Sequence, residues 1–336
     1  MFFTLAFAAS ALLSPYALAS SLEACAGGLN GRLPDQTPID FNFSGNVRRY
    51  YIAAEEIIWD YAPSGWDNWL GLPVNLSPRA QAAGYTKYGT KWNKAVYRGY
   101  TDAGFTEKSP QPEWQGIQGP TIRSEVGDLI EILFSNKLTS NFASIHSMGL
   151  AYSKENEGAL YPNATSLDPQ FAPSRGDAVP PGGCAVYKWV VPESSAPSPT
   201  EPSNMHGYHS YVSEAEDVFA GLIGPQMTYH RGKMNETISK YREFPILFLG
   251  IDESSSFLSG VNSAMLKNVT GNYSIPSDLF KYGNQSHWLP QVVNLLDSQN
   301  FDDAPTFEVV NGWVYSNNPA FKMCQNDNVI WYVYGK

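Results

Sequence analysis

Strand signals dominate this chain and helix signals are scarce. The run Tyr50-Tyr-Ile-Ala-Ala-Glu-Glu-Ile-Ile-Trp59 is rich in β-branched and aromatic residues, and Lys94-Ala-Val-Tyr-Arg-Gly-Tyr100 alternates more clearly. Leu129-Ile-Glu-Ile-Leu-Phe134 and Ala185-Val-Tyr-Lys-Trp-Val-Val191 read as further strands. Gly, Pro, Asn or Ser clusters bound each run, as expected where strands end in turns. The 28 glycines and 24 prolines suit many short strands, which favours a β-sandwich or barrel.

The pattern also repeats. Glu125-Val-Gly-Asp128 leads into Leu129–Phe134, and Gln325-Asn-Asp327 leads into Val329-Ile-Trp-Tyr-Val-Tyr334. Tyr51–Trp59 has its counterpart in Phe244-Pro-Ile-Leu-Phe-Leu-Gly-Ile-Asp252. Both offsets are about 200 residues, as in two tandem copies of one domain. The expected division is an N-terminal extension over 20–46, a first copy over 47–229, a polar linker over 230–242 and a second copy over 243–336. The second copy is cut roughly in half. An incomplete sandwich leaves unpaired strand edges and an open core, and is prone to association.

Composition narrows the classes. A formal charge of −10 argues against a nucleic-acid backbone as partner, because that partner needs a surplus of lysine and arginine, and against anionic lipid. Phe2 to Leu13 is an apolar run followed by the small-x-small site Ala17-Leu18-Ala19, the pattern of a signal peptide over residues 1–19. No later run reaches the roughly 18 apolar residues of a membrane span, so a secreted product is expected. N-x-S/T sequons at Asn42, Asn75, Asn163, Asn235, Asn268, Asn272 and Asn284 fit that address. Pro78 directly follows the Asn75 sequon, so glycans are expected at the other six. The three cysteines are odd in number, so in an oxidising compartment one stays free or pairs outside the chain. Cys25 with Cys184 is the expected internal bridge.

Several stretches carry a family resemblance. They include Arg49-Tyr-Tyr-Ile-Ala-Ala-Glu-Glu-Ile-Ile-Trp-Asp-Tyr-Ala-Pro-Ser-Gly65, Gly119-Pro-Thr-Ile-Arg-Ser-Glu-Val-Gly-Asp128 and Glu157-Gly-Ala-Leu-Tyr-Pro162. Asp217-Val-Phe-Ala-Gly-Leu-Ile-Gly-Pro225, Val310-Asn-Gly-Trp-Val-Tyr315 and Met323-Cys324 continue the series. In this order they resemble the ceruloplasmin and hephaestin group of multicopper ferroxidases, whose domains also occur in coagulation factors V and VIII. Random matches would not keep the order. The resemblance implies an all-β fold of tandem cupredoxin domains, Greek-key β-sandwiches, the second incomplete here. It also implies oxidation of Fe(II) with O₂ as acceptor, through a type 1 copper and a trinuclear copper cluster, with further multicopper oxidase domains as partners in a longer chain. Cys324 matches a disulfide cysteine whose partner lies beyond Lys336.

The copper ligands can be checked one by one. The cluster of this family is held by paired His-x-His motifs, whose two imidazoles share a strand face. The first motif falls on Ile145-His-Ser-Met-Gly149, with His146 present and Met148 in the second place. The second falls on Tyr208-His-Ser-Tyr-Val212, with His209 present and Tyr211 in the second place. A thioether ligates Cu(I), so His146, Met148, His206 and His209 are the candidate copper ligands. The alternative is that both histidines are relics held by backbone hydrogen bonds, with Met148 and Tyr211 filling vacated space. A type 1 site needs a Cys with His shortly after it, yet no histidine occurs in the ten residues following Cys25, Cys184 or Cys324.

Related domains bind calcium near the stretch 154–177, which makes Asp102, Glu155, Glu157, Asp168 and Asp177 a candidate Ca²⁺ set. Adjacent Glu55 and Glu56 face opposite ways on a strand and are not an acid/base pair. Phosphate loops, HExxH motifs and zinc cysteine spacings do not occur. Three functional readings follow. The chain is a copper-dependent ferroxidase at family level with degenerate and incomplete sites, a non-catalytic extracellular scaffold, or a copper-binding module of low nuclearity.

Overall fold

A computed structural model describes residues 22–82, 88–161, 176–270 and 306–336. The leader over 1–19, Asn163, Asp168, Asn272 and Asn284 lie outside the described residues, as does the side chain of Asn268. Thirteen strands are described: β1 Val47–Asp60, β2 Trp66–Asp67, β3 Leu72–Pro73, β4 Lys91–Tyr100, β5 Ile122–Glu125, β6 Leu129–Asn136, β7 His146–Ser147, β8 Cys184–Val190, β9 Ser203–His209, β10 Ile223–Tyr229, β11 Tyr241–Asp252, β12 Thr306–Val310 and β13 Asn328–Gly335.

Two four-stranded sheets, ordered β4-β1-β6-β8 and β5-β10-β9-β7, form the first sandwich. Alternation along each strand sends Ile52 and Ala54 of β1, Ile130, Ile132 and Phe134 of β6, and Tyr187 and Trp189 of β8 into one core with Ile122 and Tyr208 of the facing sheet. β6 is buried along its whole length. Its other face, at Leu133, is covered by the N-terminal segment, whose helix Leu22–Ala26 is tied to β8 by a Cys25–Cys184 disulfide. Gly31 N–H and the Arg49 guanidinium both donate to the buried carboxylate of Glu131, 2.7 and 3.0 Å away.

A third sheet has the order β12-β11-β13. β11 runs antiparallel to β12 and parallel to β13, the same senses in which β1 meets β4 and β6. Its inner residues Leu247, Leu249, Ile251, Phe307 and Val309 pack on Tyr61, Trp92 and Val96 of the first sandwich. The buried ion pair Lys94–Glu253, 2.8 Å, crosses this contact, with Tyr61 donating to the same carboxylate at 2.5 Å.

The stretch 230–242 is not the plain linker its polar composition suggests. It holds the helix Met234–Lys240, and β11 already begins at Tyr241. Further helices lie over Glu214–Ala220 and Ser259–Thr270.

Candidate metal centre

β7 is only two residues long, yet its antiparallel pairing with β9 sets His146 directly opposite His209. Residues paired in this way project from the same face of a sheet. The two imidazole centroids lie 5.4 Å apart. Tyr211, two residues beyond His209, stacks its ring on His146 at 4.8 Å and an interplanar angle of 20°.

The hydrogen bonds fix both tautomers. His146 Nδ1 meets the Glu157 carbonyl at 2.7 Å, and His209 Nδ1 meets the Ser210 carbonyl at 2.8 Å. A carbonyl only accepts, so each Nδ1 carries the proton and each Nε2 presents a lone pair. That is the tautomer of a metal-ligating histidine, oriented by an outer carbonyl. Burial pushes the His209 imidazole down to about 4 and lowers His146 as well, so both rings are neutral near neutral pH. The Tyr152 hydroxyl approaches His146 Nε2 at 3.4 Å. On His209 Nε2 the partner is a cation: the Lys336 ammonium donates to it at 2.6 Å and also pairs with Glu214.

The other candidates fall elsewhere. His206 sits an odd number of residues from His209 on β9, on the opposite face of the sheet. There it pairs with Gln226, its ring covers Gly149, and its Nε2 meets the Asn204 amide at 3.1 Å. The structure therefore does not bring His206 to His146 and His209. Met148 is 53% exposed and its sulfur lies beside Gly207. The acidic set is dispersed. Asp102 accepts the backbone N–H groups of Gly104, Thr106 and Glu107, and Glu155 accepts from Ser153. The Lys154 ammonium lies 2.9 Å from Asp177 and 3.3 Å from Glu157, which puts a fixed positive charge where a Ca²⁺ would have to sit.

These residues do not fit a trinuclear cluster. Of the four imidazoles that the two motifs could supply only two are present, a phenol and an exposed thioether take the other places, and an ammonium caps one of the remaining lone pairs. Among the described residues no group of three or more His, Cys, Asp or Glu side chains converges as a metal site. Cys25 and Cys184 are spent on the disulfide and Cys324 is exposed and free. The family resemblance pointed to the two histidines. It could not find Glu214 and Lys336, which reach His209 from another helix and from the far end of the third sheet.

No family model matches the chain. Hephaestin of Mus musculus is 32% identical over 300 residues, covering 87% of this chain and 24% of that protein. Ceruloplasmin of Ovis aries is 34% identical over 302 residues, 86% of this chain and 26% of the relative. Ferroxidase HEPHL1 of Mus musculus is 33% identical over 302 residues, 87% of this chain and 24% of the relative. The chain thus spans about a quarter of the length of these relatives. Such identity, held across nearly the whole chain and joined to the β-sheet architecture above, places the chain in the ceruloplasmin and hephaestin family of multicopper oxidases.

Proposed function

We propose that this chain is an exported, glycosylated cupredoxin portion of a copper-dependent ferroxidase, in which Fe(II) is oxidised and O₂ is reduced to water. Within that activity residues 47–229 act as a supporting domain and not as a complete copper centre. One observation carries this reading: His146 and His209 stand opposite each other with each Nδ1 protonated and each Nε2 lone pair turned outward, while the Tyr211 ring and the Lys336 ammonium, and not further donors, lie against them. The family function is carried over from relatives one of which is named a ferroxidase. Export is supported by the leader pattern and by the exposed sequon residues Asn42 and Asn235, and among the described residues no helix is long and apolar enough to cross a membrane.

The test is an oxygen-electrode assay of the purified, copper-loaded chain with Fe(II), alongside metal analysis and visible absorption. No copper-dependent O₂ uptake and no intense blue thiolate-to-copper band are expected from this polypeptide alone. Turnover by the isolated chain would show a complete centre and overturn the supporting role. N-glycosidase treatment should lower the mass of the secreted product, and an unchanged mass would remove the glycosylated reading.

A further inference from the structure

Asn-Gly occurs twice in the chain, at Asn30-Gly31 and Asn311-Gly312. A glycine leaves its own backbone nitrogen open, because no side chain stands beside it. The two asparagines sit in opposite surroundings. Asn311 is fully buried, its Oδ1 accepts the Leu247 N–H at 2.8 Å, and its Nδ2 donates to the Trp114 carbonyl at 2.7 Å. Asn30 is exposed on the N-terminal segment, shortly after the helix Leu22–Ala26, and Gly31 follows in the left-handed region at φ +69°. Asn30 Oδ1 accepts the Arg32 N–H at 3.0 Å, an Asx turn that folds the side-chain amide back toward the Gly31 peptide. The same oxygen accepts from the Lys188 ammonium at 2.5 Å, and that ammonium also meets the Arg32 carbonyl at 2.8 Å and Glu131 at 3.3 Å. The Gly31 N–H in turn donates to the fully buried Glu131 carboxylate at 2.7 Å.

We propose that Asn30 is a site of covalent self-modification, at which the Gly31 nitrogen attacks Asn30 Cγ and the side-chain amide is lost as ammonia. Attack forms the bond from Gly31 N to Asn30 Cγ and places negative charge on Oδ1, where an ammonium and a backbone N–H already stand as donors. The Gly31 amide proton passes to the Glu131 carboxylate that holds it. The bond from Cγ to Nδ2 then breaks, and Nδ2 departs as ammonia with one proton gained, so Glu131 ends as it began. The product is a five-membered cyclic imide, which water opens to aspartate or to iso-aspartate at this exposed position. Water is the only other reactant. Iso-aspartate adds a methylene to the main chain ahead of Gly31, which carries the Gly31 N–H off Glu131 and loosens the segment that covers the outer face of β6. The same reasoning protects Asn311, whose amide is held at both atoms and shut off from water.

The test holds the full chain folded at mildly alkaline pH, samples it over time, digests each sample under acid conditions and reads the peptides by mass spectrometry. Asn30 should convert to a mixture of aspartate and iso-aspartate while Asn311 stays an amide, and in urea both should convert. Lys188→Met should slow the conversion of Asn30 about ten-fold in the folded chain. In urea it should leave the rate equal to the parent's, because Lys188 lies 158 residues from Asn30 and reaches it only through the fold. Asn311 remaining an amide in the same sample reports that the variant is folded. Asn30 that stays an amide in the folded parent would overturn the proposal, as would a folded Lys188→Met chain that converts as fast as the parent or faster. Ammonia loss with the Asn30 and Lys188 peptides joined would overturn it too, because the attacking nitrogen would then be the lysine's.

Discussion

The Arg242 guanidinium donates to the Asp327 carboxylate across the start of the third sheet, and Arg48 and Asp128 make the same contact in the first sandwich. In each copy the aspartate also accepts a backbone N–H three residues earlier, from Glu125 at 2.8 Å and from Cys324 at 2.7 Å. One turn is therefore built twice with the same parts. The surroundings differ. The Asp128 side chain is fully buried, and it further accepts from Ser44 at 3.0 Å, whereas Asp327 and Arg242 are open to water.

That difference sets the first expectation. Asp128→Ala takes one of two carboxylate partners from the half-buried Arg48 guanidinium, which keeps Glu125 at 3.1 Å, and strands the donors of Ser44 and the Glu125 backbone, so it should destabilise the protein by about 2 kcal/mol. Asp327→Ala should leave the unfolding midpoint near the parent's, because water replaces the lost partner. Urea unfolding of the two variants checks both, and equal losses would contradict the assignment of the two environments.

Lys94 and Glu253 form the one ion pair among the described residues with both side chains fully buried. Burial lowers the lysine and raises the glutamate, each against the pull of the other charge. Lys94→Met alone leaves a buried carboxylate uncompensated and should cost about 3 to 5 kcal/mol. Adding Glu253→Leu should recover most of that loss, since an apolar pair of similar volume is often neutral or better. A double variant no more stable than Lys94→Met would refute the argument. The pair joins β4 of the first sandwich to the residue that follows β11, so it serves as a latch between the copies.

Much of this architecture was legible in the sequence. The runs at Tyr50–Trp59, Lys94–Tyr100 and Leu129–Phe134 became β1, β4 and β6, because each combines β-branched or aromatic residues with turn residues at both ends. β5, β7, β9 and β10 escaped that filter. They are short, or interrupted by Gly207, Gly224 and Pro225, and tertiary pairing holds them where propensity does not. The helix Glu214–Ala220 went unread, although Ser213 precedes it, three acids fill its first turn and Gly221, left-handed in the structure, follows it. At the metal centre, the family resemblance located His146 and His209. It was silent on their cross-strand register, which the pairing of β7 with β9 fixes over long range, and it grouped His206 with them although strand alternation turns that ring the other way.

Asp217 is fully buried beneath the hairpin that carries His209 and Tyr211. One oxygen accepts from Ser210 Oγ at 2.6 Å and from the backbone N–H groups of Val212 and Ser213, while the other meets no hydrogen-bond donor. Burial raises this carboxyl to about 7, above the value near 4 of an unfolded chain. A folded value above the unfolded one means that the contribution to stability is fully present below about pH 4. It is lost as pH rises through about 7, and over that window the loss is on the order of 4 kcal/mol. Asp217→Asn should therefore gain on the parent as pH rises from 4 to 8. Urea unfolding at both ends of the range checks the sign, and a gap that does not change with pH would refute it.

The Cys25–Cys184 bridge closes a loop across 159 residues and holds the helix Leu22–Ala26 over the outer face of β6 and β8. Replacing both cysteines with alanine should lower stability by about 4 kcal/mol, mainly by freeing the unfolded chain. It should also expose Leu133 and Glu131, which makes the amides of β6 exchange faster with solvent. Unchanged exchange would mean that the N-terminal segment stays docked without its tie.

Restoring donors tests why this centre falls short. Met148 and Tyr211 stand in the second places of the two His-x-His motifs that the family resemblance lays on the chain, so they are the positions from which a second imidazole would join His146 and His209. Tyr211 already lies flat against the His146 ring, so a smaller imidazole there enters the same space. Met148 is exposed at the rim, where a histidine meets no steric obstacle in the core. The double variant Met148→His/Tyr211→His should retain more copper after exhaustive dialysis than the parent. A further Lys336→Met change, which removes the ammonium from His209 Nε2, should raise retention again. If the parent holds as much copper as the triple variant, then the missing imidazoles and the lysine cap are not what limits the site, and the supporting role proposed for residues 47–229 loses its physical basis.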